Sequence, residues 1–142
     1  MSRYVIDSSL ALKWVLPESD SAKAIALRDQ YLNAIHELLA PDVFPIEIAH
    51  ALAKAERKRI LNPPEGYQRL MRVLSTPPAL SSYLSLLPRA FEIASDARIG
   101  VYDCLYVALA EHEQCEFVTA DVRLINNLQK DFPFIVSLDS LP

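Results

Sequence analysis

The chain has 142 residues, of which 51% are hydrophobic and 23% charged. That composition fits one folded domain with a core of its own and excludes a disordered chain or a disulfide-stapled miniature. A net charge of −4 excludes the broad basic surface of a protein that binds nucleic acid by charge alone, although it leaves room for an enzyme whose acidic site is offset by metal ions.

The two cysteines, Cys104 and Cys115, lie in apolar or helical stretches with no Cys-x-x-Cys pair. They read as small buried hydrophobes in a reducing compartment. His36, His50 and His112 are scattered and form no zinc-spaced cluster with them. "MSRYVIDSS" carries no charged-then-apolar signal pattern, and no apolar run reaches the ~18 residues that span a bilayer. The expectation is a soluble, cytoplasmic protein.

In chain order, "RYVID" (3–7) reads as a short buried strand ending in an acid. "SSLALKWVL" (8–16) has helical spacing and is stopped by Pro17. Residues 18–39 read as one long amphipathic helix, with Ser19, Asp20 or Ser21 as its cap. "LLAPDVF" (38–44) supplies a second strand interrupted by Pro41. "PIEIAHALAKAERKR" (45–59) is a helix with Pro45 at its first position and a basic end. After the turn "NPPEGY" a helix covers 65–75, and the proline-rich 76–87 connects to a helix over 88–100, with strand character at its centre. A strongly apolar helix over 101–114, a strand over 115–120, a helix over 121–132 and a last strand over 134–138 complete the chain. This alternation, with strands that are apolar runs, predicts an α/β three-layer sandwich: a mostly parallel central sheet flanked by helices. Residues 1–142 read as one domain.

Four acids stand out by position. Asp7 and Asp121 follow the first strand and the strand "CEFVTA", and ligands of open parallel sheets collect beyond the carboxyl ends of strands. Glu47 lies in the first turn of a helix, and Asp103 opens another. Helix capping is the alternative for each aspartate. It does not account for Glu47, whose neighbours Pro45, Ile46, Ile48, Ala49, Ala51 and Leu52 are apolar nearly all the way round. No lysine or arginine lies one turn away to pair with it, and an enclosed carboxylate is costly unless it is paired or binds a metal. Crowded carboxylates raise one another's pKa. A divalent cation relieves that conflict, and Mg2+ or Mn2+ on oxygen ligands can polarise a phosphoryl group and activate water.

The motifs "YVIDSSLALKWVLPE" (4–18), "PDVFPIEIAHAL" (41–52), "VYDCLYVALAE" (101–111) and "FVTADVRL" (117–124) together resemble the PIN domain and, more narrowly, VapC-type toxins of toxin–antitoxin pairs. The resemblance spans essentially the whole chain. It implies a PIN-like nuclease domain over 1–142 acting as an Mg2+-dependent endoribonuclease, with Mn2+ able to substitute. It places the catalytic and metal-holding acids at Asp7, Glu47, Asp103 and Asp121, with Ser9 and Thr119 in support. Asp7, Asp103 and Asp121 would hold the metal directly or through water, and Glu47 a water or a second metal. Some PIN nucleases carry a further acid just after the fourth; here Val122 and Arg123 stand there, which leaves the second metal open. The partners implied are RNA, a cognate antitoxin and a second copy of the chain in a homodimer. Apolar faces in 22–39 and 60–74 would serve the last two.

The basic run "KAERKR" (54–59) is either a solvated helix end or a phosphate track whose candidates are Lys54, Arg57 and Lys58. Lys13 is a further candidate for contacting RNA. Trp14 could stack on a base but has the spacing of a core residue. The readings that compete with a toxin ribonuclease are a metal-dependent nuclease or phosphatase outside a toxin system, and a non-catalytic PIN-like binding module.

Overall fold

The computed structural model describes residues 2–16 and 21–142. Its centre is one five-stranded sheet in the order β3-β2-β1-β4-β5, every pair parallel. The strands are β1 Ser2–Ile6, β2 His36–Pro41, β3 Ala79–Ser81, β4 Glu116–Thr119 and β5 Ile135–Ser137. The helices are α1 Ser8–Ala11, continued by a 3-10 turn at Leu12–Trp14, then α2 Ser21–Leu32, α3 Phe44–Arg57, α4 Pro63–Ser75, α5 Tyr83–Ala97, α6 Val101–Glu113 and α7 Val122–Leu128. The predicted α/β sandwich is present, and its sheet is parallel throughout. Among the described residues no helix is long and apolar enough to cross a membrane.

Successive strand residues point to opposite faces, yet Val5 and Ile6 of β1 and Phe117 and Val118 of β4 are all fully buried. Both faces of the sheet are therefore covered, which is why these strands read as apolar runs. Leu38 and Ala40 from β2, Phe44, Ile48 and Leu52 from α3, and Cys104 through Ala110 of α6 fill the same core. α6 packs across β1, β2 and β4, so it is buried nearly all round and lacks an amphipathic stripe. Both cysteines are free; Cys104 is buried, and burial pushes its thiol up to about 11.

The strand order reverses at β1. Chain progress runs outward through β2 and β3 on one side, then crosses to β4 and β5 on the other. Such a switch point opens a crevice at the carboxyl ends of the two central strands. In the register, Ile6 of β1 lies opposite Val118 of β4, so Asp7 emerges level with Thr119.

Several boundaries differ from the sequence reading, each for a local reason. The predicted helix over 18–39 ends at Leu32. Ala34 takes a left-handed conformation (φ 59) and the chain enters β2 at His36; pairing with β1 outweighs the helical spacing of Ile35, Leu38 and Leu39. Of the candidate caps, Ser19 and Asp20 lie outside the described residues, and Ser21 is the first residue of α2. Pro41 ends β2 rather than interrupting it, and Pro45 is the second helical residue of α3, after Phe44. α4 starts two residues before the reading, with Glu65 Oε1 accepting from the Asn62 N–H at 3.3 Å. The helix expected from Pro88 begins at Tyr83, where Ser82 Oγ accepts from the Leu84 N–H at 3.3 Å, and it carries Pro88 inside it. That proline sits early in the helix, where it forfeits one backbone bond.

Trp14 belongs to the core. It is buried, its Nε1–H donates to the Ala24 carbonyl at 3.0 Å, and the Arg28 guanidinium carbon lies 5.3 Å from the ring centroid. It ties the 3-10 turn to α2. Trp14→Phe removes this hydrogen bond and part of a buried ring, so it should cost about 1–3 kcal/mol in urea unfolding; a smaller effect would mean that the contact holds nothing together.

Candidate active site

Asp7 is the N-cap of α1, in extended conformation, with Oδ1 accepting from the Leu10 N–H at 3.2 Å. The same oxygen accepts from Ser9 Oγ at 2.7 Å. The other oxygen, Oδ2, accepts from Thr119 Oγ1 at 2.6 Å across the β1–β4 crevice. Both hydroxyls are themselves held by backbone donors: the Ala120 N–H donates to Ser9 Oγ at 3.2 Å, and the Asp121 N–H to Thr119 Oγ1 at 3.1 Å. Ser9 and Thr119 thus orient a carboxylate. No described histidine stands by to make either a nucleophile, and each spends its proton on Asp7.

Asp121 caps α7, its Oδ1 accepting from the N–H groups of Arg123 (3.0 Å) and Leu124 (3.3 Å). Asp103 does not cap. α6 begins at Val101 with Gly100 as its N-cap, which moves Asp103 to the third helical position. Its carboxylate is half-buried with no hydrogen bond or ion pair among the described residues. The capping alternative therefore holds for Asp7 and Asp121 and fails for Asp103.

Glu47 sits in the first turn of α3, half-buried, and its Oε1 accepts from the Tyr106 hydroxyl. Tyr106 is buried, with its ring stacked on Phe117 at 5.8 Å between centroids and 18° between planes. Burial, and then Glu47, push its phenol well above the usual range, so it stays a donor. The sequence reading gave Tyr106 no role. Its spacing of three residues from Asp103 put both on one face of α6, and that was the available signal.

Three of the four carboxyls are held above their usual range. Burial raises Asp7 from 3.8 to about 6 against the pull of its three hydrogen bonds, and Asp103 adds to the rise. Burial also raises Glu47, with further contributions from Asp7 and Asp103. Asp103 is raised by burial and by Asp121, and lowered by Arg123. None of the four is in an ion pair with a described cation.

Every donor in the set is oxygen, the ligand type of Mg2+ or Mn2+. Among the described residues no three acidic, histidine or cysteine side chains form a ready-made chelate. The unpartnered Asp103 and the raised carboxyls of Asp7, Glu47 and Asp103 are what a cation would relieve.

Of the candidate RNA contacts, Lys13 is buried, whereas Lys54, Arg57 and Lys58 are exposed. Lys54 is seven residues along α3 from Glu47, roughly 10 Å at the helical rise. Arg98 and Arg123, which the sequence reading did not choose, line a cleft together with Asp103 and Asp121.

A parallel sheet with acids at the carboxyl ends of its central strands defines an α/β protein whose switch-point crevice is lined by carboxylates. The PIN domain family model matches residues 4–129, and the chain belongs to that family. VapC ribonuclease Mb0985 of Mycobacterium bovis is 30% identical over 132 residues, covering 93% of this chain and 96% of the relative. Ribonuclease VapC3 of Pyrobaculum aerophilum is 30% identical over 137 residues, covering 95% and 98%. Among solved structures, PAE2754 from Pyrobaculum aerophilum superposes with a TM-score of 0.71 at 20% identity, covering 98% of this chain and 92% of the other. VapBC2 from Rickettsia felis, solved bound to a DNA fragment from its promoter, gives 0.63 at 15%, covering 95% and 96%. These two share the fold.

Two outcomes test the electrostatics. Because the folded state holds protons on Asp7 that the unfolded state has released, metal-free stability should fall as pH rises from about 4 to about 6. Asp7→Asn keeps the cap and removes the buried charge, so at neutral pH without metal it should stabilise by on the order of 2 kcal/mol in thermal or urea unfolding. Thr119→Val strands the Asp7 oxygen and the Asp121 N–H and should destabilise by about 1–3 kcal/mol. Opposite signs support the arrangement; equal losses would contradict it.

Proposed function

We propose that the protein is a metal-dependent endoribonuclease acting as the toxin of a VapBC-type toxin–antitoxin pair, with 1–142 as one PIN-like nuclease domain. The observation that carries the catalytic reading is the convergence of Asp7, Glu47, Asp103 and Asp121 at the β1–β4 switch point, with Asp103 unpartnered. Membership of the PIN family and the ribonuclease names of two relatives that match along nearly their whole length support RNA as the substrate.

Asp7, Asp103 and Asp121 would hold Mg2+, or Mn2+ in its place, directly or through water. Once bound, the ion supplies a polarised phosphoryl oxygen and a water of lowered pKa. The residues do the rest. Ser9, Thr119 and the Leu10 N–H fix both oxygens of Asp7, so that a ligand is pre-oriented rather than ordered at the moment of binding. Tyr106 occupies one oxygen of Glu47 and leaves the other for a water or a second cation. The buried floor of Val5, Ile6, Phe117 and Val118 keeps bulk water from one side of the site.

The non-catalytic module is the weaker alternative, because a binding module has no use for a half-buried, unpaired Asp103. The partners we infer are RNA, an antitoxin and a second copy of the chain, in a cytoplasmic setting. Exposed apolar side chains support an antitoxin segment and a homodimer: Ile25, Leu32 and Ile35 in and just after α2, Ile60, Tyr67 and Met71 in or beside α4, and Leu84 and Phe91 on α5.

Antitoxin-free protein incubated with labelled total RNA should cleave it with Mg2+ or Mn2+ and not with EDTA, and Asp7→Asn and Asp121→Asn should abolish cleavage. Absence of both cleavage and calorimetric metal binding would sink the catalytic reading. Tyr106→Phe should lower metal affinity or activity by about 10–100-fold, the usual cost of losing a residue that orients a ligand; unchanged values would make the phenol a packing residue only.

A further inference from the structure

Two separate clefts contain acids of the set, Glu47 in one and Asp103 with Asp121 in the other, and they differ in chemistry. On the α3 side a cleft of about 490 Å³ is lined by Ser8, Ile46, Glu47, His50, Ala51 and Tyr102. Ile46 and Tyr102 are exposed there, 71% and 58%, and no lysine or arginine lines it. On the other side a cleft of about 320 Å³ has Arg98, Gly100, Asp103, Asp121, Arg123 and Asn127 among its walls. An apolar, aromatic wall suits a base. A wall with two guanidiniums and an amide suits a phosphate.

The two arginines are uncommitted. Arg3, Arg69 and Arg89 are each held by a glutamate at 2.8, 3.4 and 2.7 Å. Arg98 and Arg123 are exposed and have no side-chain hydrogen bond or ion pair among the described residues, although they share a cleft with two carboxylates and Asp103 feels the charge of Arg123. Arg98 ends α5 in a left-handed conformation (φ 57), and Arg123 lies in the first turn of α7. Two elements thus bring their cations to one side of the acids. By contrast Lys54, Arg57 and Lys58 lie two to three turns along α3 from Glu47.

We propose that Arg98 and Arg123 grip the RNA phosphate adjacent to the one being cleaved, so that the backbone leaves the acids along this cleft and not along the basic end of α3. Arg123 stands just beyond the fourth acid, where it brings positive charge to the site without a second cation. The assignment rests on the ribonuclease reading and extends it to the direction of the strand.

The test is fluorescence anisotropy of the full chain, free of antitoxin, with a labelled twelve-nucleotide oligouridylate, without metal, over a salt series starting at low ionic strength. Arg98→Gln with Arg123→Gln should reduce the slope of log affinity against log salt by about 0.7 per arginine. Arg123→Lys should keep that slope, and Lys54→Gln with Arg57→Gln and Lys58→Gln should leave it nearly unchanged. In a parallel cleavage assay on labelled total RNA with Mg2+, the double arginine variant should raise KM and leave kcat within a few-fold. An unchanged slope in the double arginine variant, a slope carried instead by the α3 residues, or no wild-type binding at low salt would overturn the assignment. If the slope falls as expected while wild type cleaves nothing, the cleft binds phosphate and the ribonuclease reading fails. Normal cleavage with an unchanged slope fails only the arginine assignment.

Discussion

Everything at the site depends on one buried carboxylate kept charged against its surroundings. Asp7 ends the central strand, where burial favours the protonated form and Asp103 adds to that preference. Two hydroxyls and one N–H pull the other way, and between them they use both oxygens. The bonds that stabilise the charge also fix its geometry, and they stitch β1 to β4 at the point where the sheet changes direction. The same contact therefore joins the two strands and orients the carboxylate at the switch point. This is also why the site works against stability: like charges are held together in a partly dry place.

The remaining acids are placed by elements that serve Asp7's neighbourhood. α3 starts just after β2 and sets Glu47 at the rim. α6 crosses under the sheet and offers two residues from one face, Asp103 at the opening and Tyr106 a turn deeper. Tyr106 joins α6 to α3 through Glu47 while its ring rests on Phe117 of β4. Three separate elements are thereby fixed at one spot, which lets side chains as far apart in sequence as Asp7 and Asp121 act as one group.

Much of this was legible in the sequence, because the strands are apolar runs that end in acids and parallel sheets collect function at that edge. Asp7 and Asp121 could be placed from the strand pattern alone. Glu47 stood out because its neighbours were apolar. What could not be read was hydrogen-bond commitment. Asp103 resembles a cap in sequence and becomes an unpartnered carboxylate because the helix starts two residues earlier, at Val101. Tyr106 resembles any core aromatic until α3 brings Glu47 within reach of its hydroxyl. The end of α2 is hidden for a related reason: Ile35, Leu38 and Leu39 have helical spacing, and only the parallel pairing of His36–Leu39 with Ser2–Val5 makes His36–Pro41 a strand. Pairing across the sheet is non-local, and a linear pattern does not carry it.

The order of the strands has a consequence for how the protein comes into being. β1 is made first, yet one of its two neighbours, β4, is among the last elements to be made, and the hydroxyl of Thr119 that completes Asp7's surroundings comes with it. A chain still being synthesised can pair β1 with β2 and β2 with β3 but lacks the fourth acid and half of the crevice. Contacts between distant segments also form slowly. The acidic site is therefore complete only at the close of synthesis, and a prematurely terminated product that stops before β4 carries three of the acids but lacks Asp121 and the Thr119 hydroxyl that orients Asp7. For a protein whose proposed activity would harm the cell that makes it, the topology itself delays the hazard.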